Sequence, residues 1–390
     1  MKATLSKGSV PGKEAPLLQF DVLEFRQKLI RWYRRHARKL PWRDVHDPYG
    51  TWLSEIMLQQ TRVATVVDRY QEFLVRFPTI STLAEADEAD VLALWSGLGY
   101  YRRARMLHRG AQFVEREMQG KLPRRAVELR TLPGVGEYTA AAIASIAFGE
   151  SVAVLDGNVE RVLLRVIGEP EEKSAKARAR LVTIAGMLMP PAGHGRRVHV
   201  HVAGQKNPAG DHNQAMMELG ATICLPRAPL CLQCPVMAMC RTRGEHVTTA
   251  RAKMQSRTVA HLLALRKRGV ATEVLLERRP DDASLMAGML ELPELPLDAT
   301  EGREPALRLR HAITTTNYYV QIFTESVVSQ DGMGEPSVEH SLVDQIPAAK
   351  SDLDWVKTTR LAQLPLTGMT RKTLQRLQVM TLPKVKIGQE

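Results

Sequence analysis

The chain has 390 residues, with 54 Lys and Arg against 42 Asp and Glu, a formal charge of +12 and 44% hydrophobic residues. That length suits two or three domains, and the charge suits a partner rich in phosphate, although solubility alone also favours basic surfaces. No stretch approaches the roughly 18 consecutive apolar residues of a membrane span, and residues 1–20 lack the apolar core of a signal peptide. A soluble, intracellular protein with no membrane association is expected.

Residues 1–17, rich in Gly, Pro, Ser and Lys, read as a flexible tail. From 18 to 240 the apolar positions recur at helical spacing. Val63, Val66, Val67, Tyr70, Phe73, Leu74 and Phe77 line one face, Leu107, Ala111, Val114 and Met118 a second, and Val159, Val162, Leu163 and Val166 a third. Residues 190–210 interrupt this pattern with three prolines, four glycines and His194, His199 and His201, which predicts a solvated loop rather than a metal site. Residues 241–257 are polar and basic and read as a linker. From 258 to 384 short apolar runs at 260–265, 273–276 and 318–323, broken by Pro and Gly, predict an α+β domain after the mostly α one.

Three segments carry chemistry on their own terms. In Leu132-Pro-Gly-Val-Gly-Glu-Tyr-Thr-Ala, Gly134, Val135 and Gly136 form a tight turn after a helix expected at 126–131. Such a turn points backbone N–H groups outward at a helix N-terminus, where a phosphate can bind without sequence being read. Further on, Val154-Leu-Asp-Gly-Asn-Val sets Asp156 just before a helix beginning near Asn158, as an N-cap, a functional carboxylate, or both. The four cysteines, Cys224, Cys231, Cys234 and Cys240, are spaced C-x6-C-x2-C-x5-C, and there are no others. A disulfide framework belongs to small secreted chains, so one metal or iron–sulfur centre is the better reading. The long spacers suit a cubane cluster better than the paired knuckles of zinc, though spacing alone leaves both open.

These segments combine in order with Leu40-Pro-Trp-Arg43, Asp47-Pro-Tyr, Trp52-Leu-Ser-Glu-Ile-Met-Leu-Gln-Gln-Thr61, Gly97-Leu-Gly-Tyr-Tyr-Arg102 and Asn213-Gln-Ala-Met-Met-Glu218. Over residues 20–240 the set resembles the adenine-DNA glycosylases of the MutY type, in the endonuclease III superfamily with its helix-hairpin-helix. The resemblance implies one [4Fe–4S] cluster on the four cysteines and a substrate of double-stranded DNA with adenine opposite 8-oxoguanine or guanine. Glu55 is then the general acid and Asp156 the carboxylate that steadies the sugar cation, with Tyr138 and Asn158 supporting them. Arg43 and Glu218 would line the extruded adenine, and Gln60, Leu98 and Tyr100 the side of the opposite base. Arg227, Arg241 and Arg243 would present cations from the cysteine loop.

Residue 138 separates branches of that superfamily. Relatives that cleave the strand place a lysine there, whereas this chain has Tyr138 and no lysine between Lys121 and Lys173. A monofunctional, monomeric glycosylase is expected, working in the cytoplasm at the nucleoid if the source is bacterial. Residues 258–384 resemble a MutT-like lesion-recognition domain through Leu285-Met-Ala-Gly-Met-Leu-Glu-Leu-Pro293, His311–Tyr319 and Leu364-Pro-Leu. Glu301, Glu304 and Pro305 do not make the glutamate helix of an active nucleotide hydrolase. Where the family's reading loop has Phe-Ser-His, Ile313-Thr314-Thr315 stand here, leaving Thr314 to contact the lesion. The competing readings are a bifunctional pyrimidine-lesion glycosylase with lyase activity, disfavoured by Tyr138, and a DNA-binding protein without catalysis, disfavoured by the presence of both Glu55 and Asp156.

Overall fold

A computed structural model describes residues 18–43, 47–191, 207–246, 254–313, 315–327, 341–347 and 352–380. The N-terminal tail, His194, His199, His201 and Thr314 lie outside the described residues. In chain order the helices are α1 (Val22–His36), α2 (Pro48–Leu58), α3 (Val63–Arg76), α4 (Ile80–Ala84), α5 (Glu88–Trp95), α6 (Arg102–Met118), α7 (Ala126–Leu129), α8 (Glu137–Ile146), α9 (Gly157–Ile167), α10 (Ala175–Leu188), α11 (Pro208–Thr222) and α12 (Gly368–Arg376). The strands are β1 (Gln255–Arg268), β2 (Ala271–Arg278), β3 (Leu290–Glu291), β4 (Glu294–Leu295), β5 (Leu307–Ile313), β6 (Thr316–Val327) and β7 (Leu353–Lys357). A mostly α region is thus followed by an α+β one. Two compact units result: Met1–Thr51, Arg124–Arg130 and Gly136–Thr249 form the first, and Trp52–Pro123, Thr131–Val135 and Ala250–Glu390 the second.

In the first unit Asp21 caps α1 by accepting from the N–H groups of Leu23 and Glu24. The helix then buries Phe25, Leu29, Trp32 and Tyr33 against α10 and α11. The apolar stripe of α9 enters the same core, with Val159, Val162, Leu163 and Val166 all buried, as the spacing predicts. Ala140 to Ala144 are small enough to bury a whole side of α8 next to α11. The expected hairpin helix at 126–131 is a single turn, because α7 ends at Leu129.

In the second unit α3 buries Val66, Tyr70 and Phe73, and the Phe73 ring meets Phe77 and Trp95 edge-on at 5.1 and 6.1 Å. The sheet runs β3-β2-β1-β6-β5, with β4 on β1 and β7 on β2. Alternate residues of β1 enter two cores. Val259 and Leu263 face one with Leu361, Leu366 and Leu374, while Ala260, Leu262 and Ala264 face another with Leu295, Leu342 and Ile346. Burial on both faces explains why 260–265 reads as an apolar run broken only by His261. β1 begins at Gln255, inside the segment expected to be linker, because it pairs in parallel with β6 from Gln255↔Thr316 onward. Pairing with a strand 61 positions away leaves no trace in local polarity. Between β2 and β5 the described residues include no α-helix, only a 3₁₀ turn at Asp298–Thr300, and Glu301 and Glu304 are exposed beyond it.

Candidate active site and nucleic-acid interface

Asp156 caps α9. One carboxylate oxygen accepts from the Val159 N–H at 2.7 Å and the other from the Asn158 amide at 3.0 Å. The Asn158 carbonyl in turn accepts from Arg161 at 2.9 Å, and the same guanidinium reaches the carbonyls of Gly220 at 2.7 Å and Cys224 at 2.8 Å. Asp156 is therefore both cap and the end of a polar chain leading to the first cysteine. The segment before it is pinned by Asn213, whose carbonyl accepts from the Val154 N–H at 3.1 Å and whose amide donates to Val152 at 2.8 Å. Gly220 lets α11 approach this point, since a Cβ there would lie 2.7 Å from that of Asn158. Tyr138, in the first turn of α8, donates its hydroxyl to the Met217 sulfur at 3.6 Å. Arg161 was not singled out from sequence, and Asn213 was read only as the start of the motif ending at Glu218. Arg161 and Arg165, four apart on a helix whose other residues after Glu160 are apolar, were the available signal.

Arg43 and Glu218 do come together. Glu218 is wholly buried and accepts from Arg43 at 2.6 Å, from the Arg38 side chain at 2.8 Å on each oxygen, and from the Arg38 N–H at 3.1 Å. Burial by itself would push this carboxyl up, but the hydrogen bonds from Arg38 and Arg43 hold it down at about 2. Arg43 also lies over the Tyr33 ring at 5.5 Å. Arg38 is the member that the sequence reading missed.

In the hairpin turn the Val135 N–H returns to the Leu132 carbonyl at 3.1 Å. Gly134 has φ +76°, and a Cβ there would fall 2.4 Å from the Met106 Cβ, so this position needs glycine on both counts. No side chain caps α8, while Gly134, Gly136 and Glu137 are exposed. The turn can therefore offer main-chain donors to an anion.

Glu55 belongs to the second unit, buried on α2 beside Ile56 and Met57. Asp47 caps that helix, accepting from the N–H groups of Tyr49 at 3.1 Å and Gly50 at 2.9 Å, with Pro48 in the first turn. Past α2, Gln60 is exposed at φ +57°, and Tyr100 is 47% exposed at φ +50°, both uncommon for residues with a side chain. One residue stitches the loops that carry them. Arg103 donates to the carbonyls of Ile56, Met57 and Gln59 at 2.8, 3.0 and 2.5 Å, and to those of Leu98 and Gly99 at 3.1 and 3.0 Å. Burial lowers its pKa to about 10, while Tyr100 acts in the opposite sense. Gln60 and Tyr100 are thus presented by one knot, whereas Leu98, expected beside them, is buried. Arg103 stood one residue beyond the motif that was read.

The four cysteines are half-buried in one loop beside the first core. Arg165, 2% exposed, staples that loop by donating to the carbonyls of Leu225 at 2.6 Å and Pro226 at 2.9 Å and to the Cys224 sulfur at 3.4 Å. The Cys240 thiol reaches the Arg165 carbonyl at 3.3 Å. Burial pushes the Cys224 thiol up, and raises Cys234 to about 11 with added repulsion from Cys224, Cys240 and Cys231. Cys234 therefore feels the other three thiols. Among the described residues no three His, Cys, Asp or Glu side chains are gathered as a group that could hold a single metal ion. Four thiols in one loop are a donor set that fits an iron–sulfur group. Of the three arginines expected to face phosphate, Arg241 bonds the Ile167 carbonyl and Gln19, and Arg243 bonds the carbonyls of Cys240 and Ala238. Arg227 is exposed.

Residues 53–185 match the HhH-GPD superfamily base excision DNA repair protein family. The adenine DNA glycosylase of Homo sapiens is 47% identical over 234 residues, covering 57% of this chain and 40% of the relative. The enzyme of that name from Arabidopsis thaliana is 33% identical over 368 residues, covering 81% and 55%. The one from Buchnera aphidicola subsp. Baizongia pistaciae is 38% identical over 222 residues, covering 57% and 59%. The chain spans about half the length of the curated relatives it matches.

Proposed function

We propose that this chain, whose residues 53–185 match the HhH-GPD superfamily of base excision DNA repair proteins, is a monofunctional adenine-DNA glycosylase. It acts as a monomer, inside the cell, on duplex DNA carrying adenine opposite 8-oxoguanine or guanine. Breaking the glycosidic bond sends its electron pair into the base and leaves positive charge on the sugar. Glu55 delivers a proton to adenine N7 as the base departs, Asp156 stabilises the cation, and water adds at C1′. Asn158 orients Asp156, and Arg43 and Glu218 border the extruded adenine. The Gly134–Gly136 turn holds a phosphate, while Gln60, Leu98 and Tyr100 face the opposite base. Cys224, Cys231, Cys234 and Cys240 hold one [4Fe–4S] cluster. When bound, the cluster supplies shape to the loop that presents Arg227. The sheet region reads the lesion through Thr314 as a MutT-like module, without hydrolysing nucleotides.

The observation that carries this reading is a carboxylate at 156 held by Asn158, which Arg161 holds in turn, with tyrosine and not lysine at 138. Single-turnover assays on duplexes with adenine opposite 8-oxoguanine, G, C and T should show excision favouring the first two and leave an intact abasic strand. Borohydride should trap no covalent complex with the wild type. Tyr138→Lys should trap one, because an amine then stands where the opened sugar can condense with it. Efficient trapping by the wild type would overturn the monofunctional assignment.

A further inference from the structure

Residues 97–100 form a loop in which Gly97, Gly99 and Tyr100 all have positive φ, at +99°, +69° and +50°. Of the three only Tyr100 carries a side chain, and its φ persists only because its surroundings over-determine it. From below, Arg103 binds the carbonyls of Leu98 and Gly99, and the Trp95 indole donates to Gly99 at 3.1 Å. The two residues that bracket the loop, Ser96 and Tyr101, are gripped from a different quarter. Both donate to the Leu366 carbonyl at 3.1 Å, and Arg371 donates its Nε to the Ser96 hydroxyl at 2.5 Å.

All four members are sealed from water: Ser96 and Leu366 are 0% exposed, Tyr101 and Arg371 4%. The node is also fastened to the sheet. Leu290 of β3 donates to Pro365 at 3.0 Å and accepts from the Thr367 N–H at 2.9 Å, and Thr367 caps α12, which carries Arg371. Arg69 and Glu72, an ion pair at 2.5 Å, are the other charges that Arg371 feels, together with Tyr101. Burial and Arg69 bring the Arg371 pKa to about 10. An apolar side chain would fill this place at a lower desolvation cost, so a guanidinium here needs a reason beyond packing. Its reason is directional: it fixes the hydroxyl at one end of a strained loop.

We propose that Ser96, Tyr101, Arg371 and the Leu366 carbonyl form a latch through which the C-terminal sheet domain sets the shape of the Gly97–Tyr100 loop. Arg371 is then a positioning residue for reading the base opposite the excised adenine. This rests on the function proposed above, in which Leu98 and Tyr100 face that base. It assigns the sheet domain a second route to specificity, independent of any contact of its own with the lesion.

The test is single-turnover excision by the full chain on adenine opposite 8-oxoguanine and opposite guanine. Arg371→Met and Tyr101→Phe should each lower the ratio of the two rates by about fivefold to tenfold, the worth of one directional hydrogen bond. The rate opposite guanine should stay near wild type, and Arg371→Lys should recover part of the ratio. Should Arg371→Met fail to fold, Tyr101→Phe, which removes one oxygen, decides by the same ratio. A wild-type ratio in the folded variants overturns the latch. Equal falls in both rates, together with a lowered Tm, also overturn it, because they mark a merely structural contact. If the wild type excises no adenine from either duplex, the functional reading fails and the latch with it.

Discussion

The N-terminus of α9 and the middle of α11 each hold a carboxylate, by opposite means. Asp156 takes its partners from its own neighbourhood, the Val159 N–H and the Asn158 amide, and remains partly open to solvent. Glu218 is wholly buried, and its partners, Arg38 and Arg43, lie 175 to 180 residues away. A charge held by local backbone costs the fold little and stays available to a ligand. A charge held by distant guanidinium groups welds elements together and is useful only while both partners remain in place.

The largest expected effect isolates the first kind. Asp156→Asn preserves shape and cap while removing the charge, so single-turnover excision should fall by several orders of magnitude, with the Tm moving little. Glu55→Gln should lose excision to a similar degree, since the amide has no proton to deliver to the base. Near wild-type rates in either variant would remove that residue from the chemistry.

Glu218→Gln should reverse the pattern. It leaves Arg38 and Arg43 facing an uncharged partner, and chemical denaturation should show a loss of about 3 kcal/mol, as when one member of a buried pair is removed. The same contrast appears with pH. The Glu218 carboxyl sits at about 2 rather than 4.5, so the unfolded chain takes up the proton first. Stability from this site is complete above about pH 4.5 and drains as pH falls toward 2. Glu218→Gln should flatten that part of the acid-denaturation curve, and an unchanged curve would contradict the assigned pairing.

Arg165 lies between these extremes, because it joins its own helix to the cysteine loop. The purified protein should be yellow-brown with about four irons per chain, and Arg165→Met should lower iron content and DNA affinity together. One zinc and no iron would refute the cluster. The smallest effect is expected from Arg227→Ala. Arg241 and Arg243 are exposed like Arg227 but bond nearby groups of their own unit, and loss of Arg227 should reduce the salt dependence of DNA binding by about one phosphate contact while leaving the preference among opposite bases unchanged.

What could be read along the chain follows the same division. The stripes of α3, α6 and α9, the Gly134 turn, the cap at Asp156 and the spacing of the cysteines are short-range patterns, and each depends on residues within a few positions. The strand-rich end was legible from its apolar runs, but the early start of β1 was not, because the parallel pairing with β6 is a long-range event.

By itself, then, the sequence determined the helical-then-α+β order, the residue types available for chemistry and the absence of a lysine near position 138. Only the tertiary structure decided that Arg38 joins Arg43 on Glu218, that Arg161 links Asn158 to Cys224, and that Arg103 and Arg371 hold the loop around Tyr100. Arginine accounts for most of what was missed. In a chain with 54 basic residues, a guanidinium looks like solvated surface until the fold shows which ones are buried. Its long stem and planar array of donors let it bind carbonyls from segments that the sequence keeps far apart.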